Sequence, residues 1–213
     1  SPLVSYISRN CRTQRDAWVR RLESLLSVAS LGKCLHNTAW PFPKASYPYW
    51  QEKVLVLRRY PFTLAIEGSD APGKSGLVSE KLFDAFAAGT VPIYWGAPRH
   101  VVERFAPSPR SFIHVDDFPK GLEQLAAYLA RLAKNPTEYY AKHHAWRSAM
   151  SEPRAERRMN SGDNADDEKL EGWLPRFCGL LDTNINTLAC RMCEKVSAHR
   201  DKVLVEENEE EEE

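Results

Sequence analysis

RRYPFTLAIEGSDAPGKSGLVSEKLFDAFAAGTVPIYWGAP, residues 58–98, decides the fold, and it runs on to SPRSFIHVDDF at 108–118. Two apolar runs, Phe62 to Ile66 and Val91 to Trp95, flank a Gly-rich loop and a helix-like segment from Ser79 to Ala88. That is a strand–loop–helix–strand unit. In parallel sheets such units place ligands at the carboxyl ends of the strands. Ser79 suits a helix N-cap, which puts Lys81 in the first turn. The backbone dipole disfavours a cation there. A cation kept at an anion-attracting helix start points to a bound polyanion, such as a phosphate group.

Working outward, residues 2 to 7 read as a strand, and residues 13 to 27 as a helix with Trp18, Leu22, Leu25 and Leu26 on one side. From Gly32 to Trp50 the chain is rich in Pro, aromatics and small polar residues, a long connection of the kind that carries function. Val54 to Leu57 is a helix end or a minor strand, and Phe112 to Val115 is a third strand. Phe118, Leu122, Leu125, Leu129 and Leu132 recur at helical spacing, which predicts a helix over 119–134 that Asn135-Pro136 breaks. Another helix is expected over 137–149, and a last one near 184–199. Alternating helices and strands predict an α/β domain: a Rossmann-like, mainly parallel sheet with flanking helices. The expected division is a nucleotide-binding domain over 1–150, a polar loop and terminal helix over 151–200, and a disordered acidic tail over 201–213.

The chain has 213 residues, 43% hydrophobic and 27% charged, an ordinary globular balance. Its net charge of zero misleads, because Glu206 to Glu213 hold seven Glu and one Asn. Without that stretch, 29 basic residues face 22 acidic ones, a net +7. A modestly basic body suits a small anionic ligand. There is no basic stripe with interleaved aromatics, so nucleic acid is not expected as a partner. No apolar run approaches the roughly 20 residues that span a bilayer. The chain opens abruptly on SPLVSYIS, a strand-like run with no leader, so a longer natural protein is expected.

Gly68 to Ser75 fits the G-x-x-x-x-G-K-S phosphate loop of nucleotide triphosphatases and kinases. In such a loop the helix begins at the Lys-Ser pair. Here Gly76 follows at once and the first good cap is Ser79, so the match is discounted. Arg15, near Arg12, Arg20 and Arg21, follows a strand end and would sit at the same sheet edge as Lys81. Two cations there could hold a diphosphate, Arg as a fork and Lys as a point charge. His143 and His144 read as packing and surface residues, Tyr94 and Trp95 as core or pocket wall. Asp116 and Asp117 read as a capping turn before a helix. Cys190 and Cys193 form a C-x-x-C, open to three readings: a thiol pair, a disulfide of a secretory compartment, or a metal or redox site.

These residues together resemble the inverting, GDP-fucose-dependent α1,3-fucosyltransferases, glycosyltransferase family 10. The carriers are Arg59-Tyr60-Pro61-Phe62, Leu64-Ala65-Ile66-Glu67-Gly68-Ser69, Leu77-Val78-Ser79-Glu80-Lys81, Ala88 to Ile93, Gly96-Ala97-Pro98, Ser111-Phe112-Ile113 and Asp117-Phe118. Asn10-Cys11-Arg12 and Gly32 to Asn37 look like the plant-type branch that fucosylates the N-glycan core, and Cys190 to Cys193 like its terminal C-x-x-C.

The resemblance implies the second, donor-binding domain of a two-domain GT-B enzyme. It implies a donor site of Arg15, Glu67, Gly68, Ser69, Lys74, Leu77, Glu80 and Lys81. Arg15 and Lys81 would neutralise the diphosphate of GDP-fucose, and Glu80 would bond the nucleoside sugar. The family has Asn and Tyr where this chain has Gly68 and Leu77, so two polar donor contacts are lost; Lys74 is expected to substitute in part, and the alternative is a catalytically degenerate nucleotide-binding module. The catalytic base would come from the first domain, with none in this fragment. No cofactor is expected, and a divalent metal would at most stimulate. The acceptor would be a glycan, either core GlcNAc of an N-glycan or an N-acetyllactosamine type. The full-length protein would be membrane-anchored and face the Golgi lumen. Disulfide candidates are Cys11, Cys34, Cys190 and Cys193.

Overall fold

The computed structural model describes residues 2–42, 49–68 and 78–147. Ser69, Lys74, Leu77, Cys190, Cys193 and the segments beyond residue 147 lie outside them. Five parallel strands form one sheet in the order β2-β1-β3-β4-β5. They are β1 (Val4–Tyr6), β2 (Val28–Ser30), β3 (Phe62–Ile66), β4 (Val91–Trp95) and β5 (Ile113–His114). Phe62 to Ile66 pair residue for residue with Val91 to Trp95, the two strands read directly from the sequence.

Both faces of the sheet are covered, which explains why the central strands are continuous apolar runs rather than alternating ones. Phe62, Leu64 and Ile66 share one core with Val19 and Leu22 of α1 (Thr13–Glu23) and with Leu125, Leu129 and Leu132 of α5 (Leu122–Ala133). α3 (Glu80–Ala88) packs on β3, β4 and α2 (Tyr49–Leu57), whose Val56 joins Ala29 and Leu31 in a second cluster. Gly89 ends α3 in the left-handed conformation at φ 77°, where a side chain is strained, and turns the chain into β4. α4 (Arg99–Val102) and α6 (Pro136–His143) complete the described elements.

Three expectations need correction. The first helix ends at Glu23, not residue 27. Leu25 and Leu26 extend the apolar spacing of Leu22 by chance, and the chain has already turned toward β2, a strand the sequence did not reveal. Ser79 stands at the N-cap of α3 as expected, but its hydroxyl makes no cap hydrogen bond. It accepts one from Lys81 Nζ at 2.8 Å instead. The acidic turn is a 3-10 turn over Val115–Asp117, and the side chain that accepts from the Asp116 N–H is His114. Asp117 pairs with Arg99.

His143 and His144 are both buried, as packing residues would be. His143 bonds the Tyr128 hydroxyl at 2.9 Å and the Arg110 carbonyl at 2.5 Å. Burial, then the charges of Arg147 and His143, push His144 down to about 4 from 6.5. Burial also lowers His143. The unfolded chain therefore binds more protons than the folded one between those values. Stability is fully present above pH 6.5 and should fall as pH drops toward about 4. Thermal melts across that window check this, and the fall should be shallower in His144→Phe.

Candidate active site

The chain runs outward from β1 to β2, then crosses back to β3 on the other side of β1. The strand order therefore reverses between β1 and β3. At such a switch point the loops leaving the strands diverge and open a crevice. A cavity of about 520 Å³ lies there, lined by Ile7 to Asn10, Arg12, Arg15, Tyr49, Lys53, Gly68, Glu80 and Lys81. Five cationic side chains face one carboxylate in that lining. A concave site so charged concentrates anions.

Arg15 and Lys81, predicted to meet at one sheet edge, line the same cleft. Arg15 enters from the first turn of α1 and is only 4% exposed. Its Nη2 donates to Ser8 Oγ at 2.7 Å and to the Asn10 carbonyl. Its Nε makes no hydrogen bond among the described residues and lies 3.8 Å from Asp16 Oδ1. Ser8 and Asn10 are held in turn. The Cys34 N–H donates to the Ser8 carbonyl at 3.1 Å. A disulfide joins Cys11 to Cys34 with the Cα atoms 5.3 Å apart. At Gly32 a Cβ would stand 2.3 Å from the Ser8 carbonyl oxygen, so only glycine lets this loop lie against β1's exit.

Lys81 enters from the first turn of α3, 3.5 Å from both Glu67 Oε2 and Glu80 Oε1. These carboxylates offset part of its misplacement against the helix dipole. Burial raises the Glu80 carboxyl, but Lys81 and then Lys53 outweigh that and hold it below its ordinary value. Glu67 is fully buried and does not line the cleft. It accepts the Ser79 N–H at 2.8 Å and so braces the start of α3. A Cβ at Gly96 would lie 2.5 Å from Glu67 Cγ and 2.7 Å from the Tyr94 hydroxyl, so that brace needs the glycine.

Gly68 lines the cleft, and among the described residues nothing lies within 4 Å of where its Cβ would stand. α3 begins at Glu80, well past the Lys74-Ser75 pair of the triphosphatase-like motif. Three cleft residues escaped the sequence reading: Arg9, Tyr49 and Lys53. The Arg9 guanidinium lies 4.7 Å from the centre of the Tyr49 ring, and Trp40 stacks on that ring at 5.7 Å. Arg9 follows β1 while Tyr49 and Lys53 stand one turn apart on α2, so only the packing of α2 against the sheet edge brings them together.

Comparison with known proteins follows the same lines. The family described as glycosyltransferase family 10 (fucosyltransferase), C-terminal part, matches residues 1–210. An alpha-(1,4)-fucosyltransferase of Arabidopsis thaliana is 30% identical over 207 residues, covering 92% of this chain and 44% of that protein. An alpha-(1,3)-fucosyltransferase 4 of Bos taurus is 39% identical over 140 residues, covering 64% and 32%. A GDP-fucose protein O-fucosyltransferase 3 of Xenopus laevis is 36% identical over 145 residues, covering 65% and 29%. The chain thus spans less than half the length of these relatives. A crystal structure of an alpha1,3-fucosyltransferase with GDP-fucose shares the fold at TM-score 0.54, with 24% identity over 88% of this chain and 49% of that one.

Proposed function

The chain belongs to glycosyltransferase family 10, the fucosyltransferases, and from that premise we propose that its basic cleft binds the diphosphate of GDP-fucose during fucose transfer. The observation that carries this is the convergence of Arg15 and Lys81 on one cleft at the switch point. As fucose leaves, negative charge builds on the departing diphosphate. Fixed donors aimed at that charge lower the barrier more than they tighten ground-state binding. Arg15, buried and pinned, offers such a donor set. Lys81 can release its two carboxylates and turn to phosphate.

The acceptor hydroxyl must also lose a proton. Glu80 and Glu67 both stand beside Lys81, and Glu80 is held below its ordinary value despite burial, by Lys81 and Lys53. Both carboxylates are engaged with Lys81, and the family resemblance implies that the base comes from the first, acceptor-binding domain of a longer protein. The finer reading is α1,3 transfer to a GlcNAc hydroxyl of a glycan, in the Golgi lumen. It draws on the plant-like segments around Cys11 and Cys34. Their disulfide suits an oxidising compartment. No helix among the described residues is long and apolar enough to cross a membrane.

Calorimetric titration tests the reading. GDP and GDP-fucose should bind the 213-residue chain without magnesium, and ATP should not. Magnesium-dependent ATP or GTP hydrolysis would overturn it. The open space at Gly68 supplies a second test. Gly68→Asn restores a polar amide facing the cleft and should raise GDP affinity about fivefold, the worth of one ordinary hydrogen bond.

A further inference from the structure

Lys53 lines the same cleft as Arg15 and Lys81 but arrives from α2. Its ammonium lies 2.5 Å from Asp84 Oδ2 of α3. The two side chains are 13% and 0% exposed. The negative end of this pair is therefore fully buried, while the positive end reaches the cleft wall. Asp84 is a demanding residue to bury. Desolvation opposes its charge, Lys53 is the chief counterweight, and neither carboxylate oxygen makes a well-aligned hydrogen bond among the described residues. Stability does not account for such a pair. Replacing a buried ion pair with apolar side chains of similar volume is often neutral or stabilising.

Geometry does account for it. Lys53 lines the cleft together with Glu80 and Lys81 of the first turn of α3, and its ammonium is fixed there by Asp84 of the same helix. An ammonium has three N–H donors, and its ion pair with Asp84 leaves donors for a ligand. Of the two cations predicted from sequence, Arg15 already serves Ser8 and Asn10, and Lys81 stands between two carboxylates. A bridging diphosphate offers more acceptor oxygens than those two groups can meet. Building on the reading of this cleft as a donor site, we propose that Lys53 is a third phosphate-contacting cation and that Asp84 is its positioning residue.

The probes are inorganic pyrophosphate, GDP and uncharged guanosine, titrated into the full chain at low and high salt. In Lys53→Met/Asp84→Leu the thermal midpoint should be unchanged or higher. Pyrophosphate and GDP should bind about tenfold more weakly, with a flatter salt dependence, and guanosine should be unaffected. Asp84→Asn keeps the cation but loosens it, and should give an intermediate loss. Should the double variant not fold, the near-isosteric Lys53→Gln/Asp84→Asn carries the same test. Wild-type pyrophosphate affinity and salt slope in a folded double variant would overturn the proposal. They would reduce the pair to a brace between α2 and α3. Failure of the wild-type chain to bind either GDP or pyrophosphate would instead overturn the donor reading itself.

Discussion

Arg15→Met is expected to weaken GDP binding about a hundredfold, the worth of a lost charge-assisted fork to phosphate. The size of the effect follows from where the guanidinium sits. It is 4% exposed and tied to Ser8 and Asn10, so its conformational freedom is spent before any ligand arrives. An exposed arginine would lose rotamer entropy on binding; this one does not. Arg15→Lys should not restore affinity, because an ammonium cannot reproduce two parallel N–H donors. Lys81→Met should have a smaller effect. Its ammonium must leave Glu67 and Glu80 to reach a phosphate, which subtracts from the gain. Calorimetry reports the affinities, and thermal melts show whether the loss of anchoring to Ser8 also loosens the fold. GDP affinity within twofold of wild type in a folded Arg15→Met would remove the main support for the donor reading.

The parts of the fold legible in the sequence are those whose residues encode their own surroundings. Phe62 to Ile66 and Val91 to Trp95 are apolar but for Thr63, because the sheet is buried on both sides, and they read as strands for that reason. The α5 heptad-like run from Leu122 to Leu132 was equally plain. β2 was not, because three residues, Val28 to Ser30, give no period to read, and Leu25 and Leu26 disguised the end of α1. The same division runs through the site. Arg15 and Lys81 each lie in the first turn of the helix that follows a strand, so strand-end logic placed them together. Lys53 belongs to the cleft only because α2 packs on α3, and Asp84 looks like an ordinary helix residue until its partner is known. Glu67 was read as a donor contact. It is a buried brace for Ser79 and Lys81, a role visible only once Gly96 and Tyr94 are seen to close over it.

Removing the Cys11–Cys34 disulfide should lower stability by about 3 kcal/mol, the chain-entropy value for a loop of this size. The bonded residues are 23 apart in sequence, so the open chain gains the freedom of that whole loop when unfolded. The loop holds α1 and β2, and its Cys11 end lies between the cleft residues Asn10 and Arg12. Cys11 follows Asn10, whose carbonyl accepts from Arg15, and the Cys34 N–H bonds the Ser8 carbonyl. The bond therefore ties together the two loops that set the guanidinium. Stability and binding should respond together: Cys11→Ser/Cys34→Ser should shift the denaturant midpoint down and weaken GDP binding even at temperatures where the protein stays folded. Reducing the wild type with a phosphine should reproduce both effects, and in the double serine variant the reductant should cause no further loss of GDP affinity. Gly32→Ala offers an independent route to the same loop. Its new methyl meets the Ser8 backbone rather than a flexible side chain, so the exit of β1 must move while the disulfide stays intact. If Gly32→Ala weakens GDP binding and the reduced wild type does not, backbone packing alone sets Arg15. If both weaken it, the covalent tie and the close approach act on one anchor.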